Sequence, residues 1–580
     1  MQFDETERKP NRQSAAGGGE ALRATHMTGG EALRATHMTG GEALVESLLA
    51  HGVDTVFALP GAQIYGLCDA LARSSALIRT VGARHEQTVG YMAFGYARAS
   101  GKPGICAVVP GPGVLNAGAA LLTAQGCGAP VLALTGDVTT RFKNRQRGQL
   151  HEIDDQLGVL RAITKSAQHV EQPGDAPWLL ARAFQEMTSG RQGVAALQVP
   201  WDVLGKRAAV ARCAPLPRIA NPEIDDEGIA AAADLLAEAR APMIFTGSGA
   251  LDAGKAVTAL ADRLAAPVVS FRGGRGIVSD DHPLGLTVAA GARLWPSTDV
   301  ALVIGSRFEL LDLRWRHRPA GLKIIRIDID PAEVRRLPVD VSLIADAGDG
   351  ANALLQALEK RPLAAAGWRE RVSDAKAAAA QAICAIQPQI EYLAVIRDVL
   401  PRDGIFVEEI SQVGFASIFG FPVYQPRTLI SAGFQGTLGF GFPTALGVKV
   451  AFPRRMVVSI TGDGGFMFAA QELATAVQYR INVVTILFNN NAFGNVLRDQ
   501  QRAFAGRILG SELLNPDFLQ FAHSFGIEAH RVATPAALRP VLERALAADA
   551  PVLIEVSVPR GADADPWTFL HPQFADQTPF

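Results

Sequence analysis

The sequence predicts an α/β protein of three consecutive doubly wound domains, each built on a mostly parallel sheet. Short, continuous apolar runs end in Gly/Pro loops, which is typical of buried parallel strands. Helical stretches separate these runs, as strand–helix–strand units require. Two linkers, one rich in proline and alanine and one rich in alanine and charged residues, divide the 580 residues into three blocks.

The first predicted domain covers residues 39–207. Its strand-like runs are TVFALP, GICAVVP and PVLALTG, and its helical stretches include YGLCDALARS and GYMAFGYARA. The first linker, Ala208–Ile224, follows it. The second predicted domain covers residues 225–360, with the strand-like runs PMIFTG, PVVSF, VALVIG and KIIRIDID.

The third predicted domain covers residues 390–560, after a linker at 361–389 that we expect to be partly helical. Its strand-like runs are GIFVEE, RTLISA, RMVVSIT and VVTILF. Residues 561–580 form a predicted C-terminal tail.

The first 38 residues are predicted to be a disordered extension. The segment GGEALRATHMT occurs twice in tandem, at Gly18–Thr28 and Gly29–Thr39, and a diverging copy begins at Gly40. A period of 11 is shorter than the 20–50 residues of stacked repeat folds. A duplication, a cloning scar or a slipped start explains the repeat, and a functional arm is the alternative. We expect the fold to begin near Met38 or Thr39.

The composition is that of an ordinary globular protein. It is 48% hydrophobic and 19% charged with a formal net charge of −2, which favours neither nucleic acid nor a membrane as partner. Five cysteines without C-x-x-C spacing indicate a reducing compartment. The polar N-terminus lacks the apolar core of a secretory signal, and no apolar run is long enough for a membrane span. A cytoplasmic enzyme is expected.

One stretch, TGDGGFMFAAQELATAVQYRINVVTILFNNNAFG at residues 461–494, combines predicted strands with polar residues at their ends. Asp463 follows the strand Met456–Thr461, and Asn490 follows the strand Val483–Phe488, with the helix Ala469–Arg480 between. Both side chains should reach the crevice at the carboxyl ends of the sheet. The carboxylate and the amide oxygen suit Mg²⁺ with a diphosphate, although a plain turn is the alternative.

This pattern resembles the thiamine-diphosphate (ThDP) signature of the acetolactate synthase and pyruvate decarboxylase superfamily. Asn490 lies 27 positions after Asp463, and the resemblance extends over nearly the whole chain from about residue 39. It implies that Asp463, the Asn490 side chain and the Ala492 carbonyl bind Mg²⁺. Gly462, Gly464 and Gly465 let the backbone approach a ligand closely. The resemblance places Gly464 and Gly465 along the diphosphate.

The same resemblance assigns the pyrimidine end of the cofactor. The segment ARHEQTV places Glu86 where the family has a glutamate that exchanges a proton with pyrimidine N1′, which lets the cofactor deprotonate its own thiazolium carbon. A helix-terminal acid that favours the dipole is the alternative for Glu86. The segment SAGFQGTLGFGFPTALG places Leu438 where the family has an apolar side chain that supports the bent cofactor from beneath. A core leucine is the alternative for Leu438. The resemblance also implies that the Gly436 carbonyl accepts a hydrogen bond from the aminopyrimidine. The segment VEEISQVG resembles the family's upstream diphosphate loop, which implies that Ser411 and Gln412 lie at the diphosphate.

The substrate side is predicted from fewer residues. LPGAQIYGL places Gln63 at a pocket position that is histidine in benzaldehyde lyase, and GQLHEIDDQLGVLRAITK places His151 where that enzyme has glutamine. The pair could shuttle protons, since histidine titrates near neutral pH. A solvated loop residue is the alternative for His151. Neither the tryptophan of herbicide-type acetohydroxyacid synthases nor the His-His pair of simple decarboxylases is present.

The resemblance therefore implies a ThDP- and Mg²⁺-dependent lyase or transferase that makes or breaks a C–C bond next to a carbonyl. The expected substrate is a 2-oxo acid, which loses CO₂, or a 2-hydroxy ketone. A 2-hydroxyacyl-CoA lyase or oxalyl-CoA decarboxylase relative and a non-catalytic ThDP-binding protein are the alternatives. FAD or ADP in the central domain stays undecided. A homodimer at minimum is expected, with Glu86 of one chain serving Asp463 of another, and a homotetramer is the favoured form.

Overall fold

The computed structural model describes residues 35–364 and 368–574. The predicted extension up to residue 34 and the end of the predicted tail lie outside these described residues. None of the helices in this part of the chain has the length and apolarity that a membrane crossing requires.

The first domain contains a parallel six-stranded sheet in the order β3-β2-β4-β5-β7-β6. Its strands in chain order are β1 (Thr36–Thr39), β2 (Thr55–Ala58), β3 (Arg79–Gly82), β4 (Gly104–Val108), β5 (Val131–Asp137), β6 (Ser166–His169), β7 (Val194–Pro200) and β8 (Arg207–Val210). Its helices are α1 (Gly40–Ala50), α2 (Tyr65–Arg73), α3 (Glu86–Ser100), α4 (Pro112–Gly126), α5 (Gln156–Ile163), α6 (Ala176–Thr188) and α7 (Trp201–Gly205).

Alternate residues of these strands face opposite layers of helices. Val56 and Ile105 pack in one apolar cluster with α1, α2 and α6. Their neighbours Phe57 and Cys106 pack in the other cluster, with α3 and α4. Both faces of the sheet are therefore buried, which explains why its strands are continuously apolar.

A short antiparallel pair joins the two ends of the first domain. β1 pairs with β8, and Thr39 lies opposite Arg207. β1 begins at Thr36, three residues before the predicted start of the domain, and β8 extends into the segment predicted as a linker. This pairing is long-range and its strands are only half-buried, so no apolar periodicity marks it in the sequence.

The central domain contains a second parallel sheet, in the order β11-β10-β9-β12-β13-β14. Its strands are β9 (Pro242–Thr246), β10 (Val268–Ser270), β11 (Gly285–Leu286), β12 (Val300–Ile304), β13 (Lys323–Asp328) and β14 (Val341–Ile344). Its helices are α8 (Asp226–Glu238), α9 (Gly254–Leu264), α10 (Val288–Leu294), α11 (Pro331–Val334) and α12 (Ala347–Glu359), and α13 (Trp368–Ile383) occupies the second linker.

The third domain contains a third parallel sheet, in the order β16-β15-β17-β18-β20-β19. Its strands are β15 (Ile405–Val407), β16 (Leu429–Ile430), β17 (Val457–Gly462), β18 (Val484–Asn489), β19 (Glu528–Val532) and β20 (Val552–Ser557). Its helices are α14 (Gln389–Val399), α15 (Gln412–Gly420), α16 (Gly441–Ala451), α17 (Asp463–Phe466), α18 (Leu473–Tyr479), α19 (Gly494–Ala503), α20 (Phe518–Ser524), α21 (Pro535–Ala547) and α22 (Trp567–Leu570). Three consecutive parallel-sheet domains confirm the predicted fold class.

The first and third domains share one apolar layer, in which α3 packs against α16. Glycines allow the two helices to approach to backbone contact. A Cβ on Gly95 would lie 2.2 Å from the Thr444 carbonyl oxygen, and one on Gly447 would lie 2.0 Å from the Met92 carbonyl oxygen.

We expect Gly95→Val to destabilise the protein by roughly 3 kcal/mol or more, because overpacking against backbone cannot relax through a side-chain rotation. The measurement is the melting temperature and the soluble yield. Gly205→Ala is the matched control, since nothing lies within 4 Å of a Cβ at Gly205. Equal melting temperatures for the two variants would contradict the predicted effect of the helix contact.

Candidate active site

The loops after β17 and β18 lie side by side, because these strands are parallel neighbours with Gly462 opposite Phe488. Asp463 begins α17 directly after β17 and is buried. Its Oδ2 accepts a hydrogen bond from the Ala492 amide at 3.1 Å. The structure therefore brings Asp463 into contact with the loop that carries Asn490 and Ala492.

The asparagine run after β18 makes a sharp turn. Asn491 has a φ of 52°, a left-handed conformation that asparagine tolerates better than most residues. The Asn490 side chain donates Nδ2 towards Asp563 Oδ2 at 3.4 Å. With its nitrogen directed to that carboxylate, the Oδ1 of Asn490 is the amide atom that remains for a cation.

The donor set of this cluster fits a hard cation. One carboxylate, one amide oxygen and one backbone carbonyl are oxygen ligands of the kind that Mg²⁺ takes when phosphates complete its shell. Burial raises the pKa of Asp463, against the lowering effect of hydrogen bonds led by that from Asn515. A bound cation would favour the ionised form instead. Within residues 35–364 and 368–574 no group of three His, Cys, Asp or Glu side chains offers an alternative metal site.

The predicted diphosphate residues converge next to this cluster. Ser411 caps α15, its Oγ accepting from the Gly414 amide at 3.0 Å. A Cβ on Gly462 would lie 3.4 Å from Ser411 Cβ, and one on Gly494 would lie 3.8 Å from Gln412 Cγ. Backbone from both loops thus lies beside the start of α15.

The buried side-chain amide of Gln412 is suited to bind a polar ligand. Gln412 is 7% exposed, and neither Oε1 nor Nε2 has a hydrogen-bond partner among the described residues. An unpaired buried amide is costly. Oxygens of a diphosphate would satisfy the Nε2 group.

Glu409 was not predicted from the sequence. Its Oε2 accepts from the Gly441 amide at 2.7 Å and its Oε1 from the Ile410 amide at 3.0 Å. Burial raises its pKa to about 7. Its Cγ lies 3.3 Å from the position of a Cβ on Gly465. The Glu409 side chain therefore contacts the segments of Ile410, Gly441 and Gly465, each close in sequence to predicted cofactor-binding residues. An acid at the end of an apolar strand is the signal that could have identified it.

Glu86 lies in the first domain, as the first residue of α3. Its Oε2 accepts from Asn116 Nδ2 at 3.0 Å. Its Oε1 lies 3.6 Å from the position of a Cβ on Gly113. The carboxylate is therefore half-buried between the N-terminal turns of α3 and α4.

Gln63 and His151 are brought together beside the same loop. Gln63 is 1% exposed, and its Nε2 donates to the carbonyl of Leu150, the residue before His151. His151 has a φ of 60°, and its carbonyl oxygen lies 2.4 Å from the position of a Cβ on Gly111. Gln63 Oε1 and His151 Nδ1 are buried without a hydrogen-bond partner in the described part of the chain. Both atoms are available to a bound molecule.

The loop with Gly436 and Leu438 approaches α4. Thr437 Oγ1 lies 3.2 Å from Thr123 Oγ1. Gly436 has a φ of 56° and is exposed, and Leu438 is half-buried rather than part of the closed core. Of the hydrogen bonds made by described residues, none joins Glu86 to Asp463, Asn490 or Ala492.

A cavity of about 280 Å³ lies where the first, central and third domains meet. Arginines and acids line it together with glycines of the turns after β9 and β12. The charged side chains at its wall include Arg98, Arg272, Arg307, Arg427, Asp328 and Glu333. The lining contains five arginines and five acids, which suit a ligand that carries both phosphate and hydroxyl groups.

Family models match all three domains. The N-terminal TPP binding domain of thiamine pyrophosphate enzymes matches residues 38–159, the central domain matches residues 229–358, and the C-terminal TPP binding domain matches residues 410–556. The chain belongs to the thiamine pyrophosphate enzyme family. It is therefore a ThDP-dependent enzyme, as the resemblance implied.

Curated relatives are similar over most of their length. A probable 2-ketoarginine decarboxylase of Pseudomonas aeruginosa is 35% identical over 83% of this chain and 87% of the relative. A probable acetolactate synthase large subunit of Methanocaldococcus jannaschii is 32% identical over 89% of this chain and 91% of the relative. The large subunit of acetolactate synthase isozyme 1 of Escherichia coli is 30% identical over 89% and 93%.

Proposed function

We propose that this protein uses ThDP and Mg²⁺ to make or break a C–C bond next to a carbonyl, with a 2-oxo acid as donor. The observation that carries the proposal is the convergence of Asp463, Asn490 and Ala492 beside the unpartnered Gln412 amide. The 2-oxo acid donor rests on the relatives, which include a probable 2-ketoarginine decarboxylase and acetolactate synthase large subunits.

In this proposal the metal ligands are Asp463, Asn490 and the Ala492 carbonyl. Ser411, Gln412 and the Gly462–Gly465 backbone hold the diphosphate, and Leu438 and Gly436 hold the ring system. When bound, ThDP supplies a nucleophilic carbon that adds to the substrate carbonyl and accepts the electrons released as the C–C bond breaks. Glu86 exchanges a proton with a pyrimidine nitrogen.

Gln63 and His151 contact the substrate in this proposal. The unpaired Gln63 Oε1 accepts a hydrogen bond from a substrate hydroxyl, and His151 Nδ1 donates or accepts a proton according to its tautomer. The test is ThDP-dependent turnover with pyruvate, glyoxylate and 2-ketoarginine, each with and without benzaldehyde as acceptor. Release of CO₂ from at least one of them is expected, and no turnover on any would refute the proposed reaction.

We also propose a homodimer in which each site combines halves from two chains. Exposed apolar side chains surround both halves, and an apolar surface of this kind is typical of an interface. They are Leu115, Leu122, Phe434, Met467 and Phe468. A second copy that covers them would bring its own metal cluster towards Glu86, and two such dimers would form the expected tetramer.

The cavity where the three domains meet is proposed to hold FAD or ADP. We expect ADP or FAD to raise the melting temperature, because a ligand that binds only the folded state stabilises it by RT ln(1 + [L]/Kd). Arg307→Gln should reduce that shift, since Arg307 lies at the cavity wall. Arg402→Gln is the control, because Arg402 is exposed and pairs with Asp281 elsewhere. Equal shifts in the two variants would contradict the placement.

A further inference from the structure

The orientation of Asp463 is fixed by a residue outside both metal loops. Asn515 donates Nδ2 to Asp463 Oδ2 at 2.7 Å, and the Ala492 amide donates to the same oxygen at 3.1 Å. A carboxylate whose one oxygen takes two donors cannot rotate freely. These two donors therefore restrict the orientation of the Asp463 carboxylate.

Asn515 also contacts the asparagines that flank Asn490. Its Nδ2 lies 3.2 Å from Asn489 Oδ1 and 3.3 Å from Asn491 Oδ1. One amide nitrogen therefore connects the loop after β17 to the loop after β18. These two loops carry all three proposed protein ligands of the cation.

The second side-chain ligand has a different support. Asn490 Nδ2 donates to Asp563 Oδ2 at 3.4 Å, in the segment after β20. Arg498 Nη2 donates to the Asp563 carbonyl at 3.1 Å, which holds that segment against α19. Because Asp563 Oδ2 accepts from Asn490 Nδ2, this contact favours the amide rotamer in which Asn490 directs its nitrogen to Asp563 and leaves its oxygen free for the cation.

We infer that Asn515 and Asp563 are positioning residues that orient the two side-chain metal ligands, Asp463 and Asn490. This inference rests on the proposed Mg²⁺- and ThDP-dependent function. Neither residue needs to touch the cation, because each acts through the ligand that it holds. Outer groups of this kind change metal affinity by about 10- to 100-fold when they are removed.

The first experiment measures metal affinity directly, with Mn²⁺ as a spectroscopic stand-in for Mg²⁺ in the presence of ThDP. Asn515→Leu keeps the side-chain size and removes the donor, so the free Mn²⁺ concentration at half-saturation should rise about tenfold or more. Asn221→Leu is the matched control, because the exposed Asn221 also donates to an aspartate, Asp349, at 3.3 Å. The control should leave Mn²⁺ binding unchanged.

The second experiment separates charge from orientation at residue 563. Asp563→Asn keeps an oxygen that can accept from Asn490 Nδ2, so Mn²⁺ binding should stay within a few-fold of wild type. Asp563→Leu removes the acceptor and should weaken binding about tenfold. Equal losses in both variants would overturn the positioning role of Asp563.

A purely structural role would have a different signature. A lower melting temperature in Asn515→Leu with unchanged Mn²⁺ half-saturation would overturn the inference and leave the proposed function intact. A wild-type protein that binds no Mn²⁺ in the presence of ThDP would overturn both. Asn515→Ala provides the same readout if the leucine variant does not fold.

Discussion

Glu86→Gln is expected to lower ThDP-dependent turnover by about 10²- to 10⁴-fold, the usual contribution of a positioned proton-transfer group. Glutamine keeps the size of the side chain and can still accept from Asn116. It cannot take up or release the proton that the cofactor's pyrimidine ring must exchange. Because Glu86 is not among the proposed ligands of Mg²⁺, the affinity for Mg²⁺ should change little. The measurements are single-turnover rates and ThDP binding on the same preparation.

The alternative for Glu86 is an acid that only stabilises the N-terminus of α3. Glu227 provides a matched control, because it lies in the first turn of α8 and is exposed. Loss of a helix-terminal acid costs about 0.3–1 kcal/mol of stability in either place. Glu227→Gln should keep full turnover. If Glu86→Gln changed only the melting temperature, as Glu227→Gln does, the catalytic assignment would be wrong.

The strands named in the sequence analysis were predictable because their burial has a local signal, whereas other strands of the three sheets, such as β6 and β19, were not named. Val131–Asp137 is buried at every position, and a run of this kind ending at a turn reads as a central parallel strand. The same logic placed Asp463 and Asn490 at neighbouring strand ends. The boundaries of β17 and β18 differ from the prediction by one residue, whereas β16 is two residues shorter at each end than the predicted run RTLISA.

The helix predicted at Ala469–Arg480 differs in a way that local pattern could not reveal. The structure has a 3₁₀ turn at Ala470–Glu472 before α18. Glu472 is fully buried, and its two carboxylate oxygens accept from the Arg84 amide at 3.0 and 3.1 Å. A contact between residues 388 positions apart thus determines the start of α18.

Asn515 and Asp563 were not predicted from the sequence, because their contacts with the proposed metal ligands are also long-range. Asn515 is 52 residues from Asp463, and Asp563 is 73 residues from Asn490. Neither residue lies in the glycine-rich loop or in the asparagine run from which the metal ligands were predicted. Short-range spacing can therefore predict the ligands of such a site. The residues proposed to orient those ligands can be found only from the folded structure of the third domain.

Asp463→Ala should abolish Mg²⁺-dependent ThDP binding and therefore turnover, because Asp463 is the one carboxylate among the proposed ligands. Asp463→Ala and Glu86→Gln are then two inactive proteins with defects in different halves of the site. Glu86 lies in the first domain and bonds to Asn116, whereas Asp463 lies in the third domain and bonds to Ala492 and Asn515. A mixed dimer would contain one site with both halves intact.

Co-expression of the two variants with different affinity tags should therefore restore activity. Random pairing gives mixed dimers with one intact site each, so turnover should reach roughly a quarter of the wild-type value per chain. If the halves met within one chain, every site would carry a defect and the mixture would stay inactive. Purification through both tags in sequence ensures that both chains are present, and size-exclusion chromatography verifies that the product is a dimer. An inactive mixed dimer that still binds ThDP would refute the shared site, since its cofactor would then lie opposite a defective Glu86.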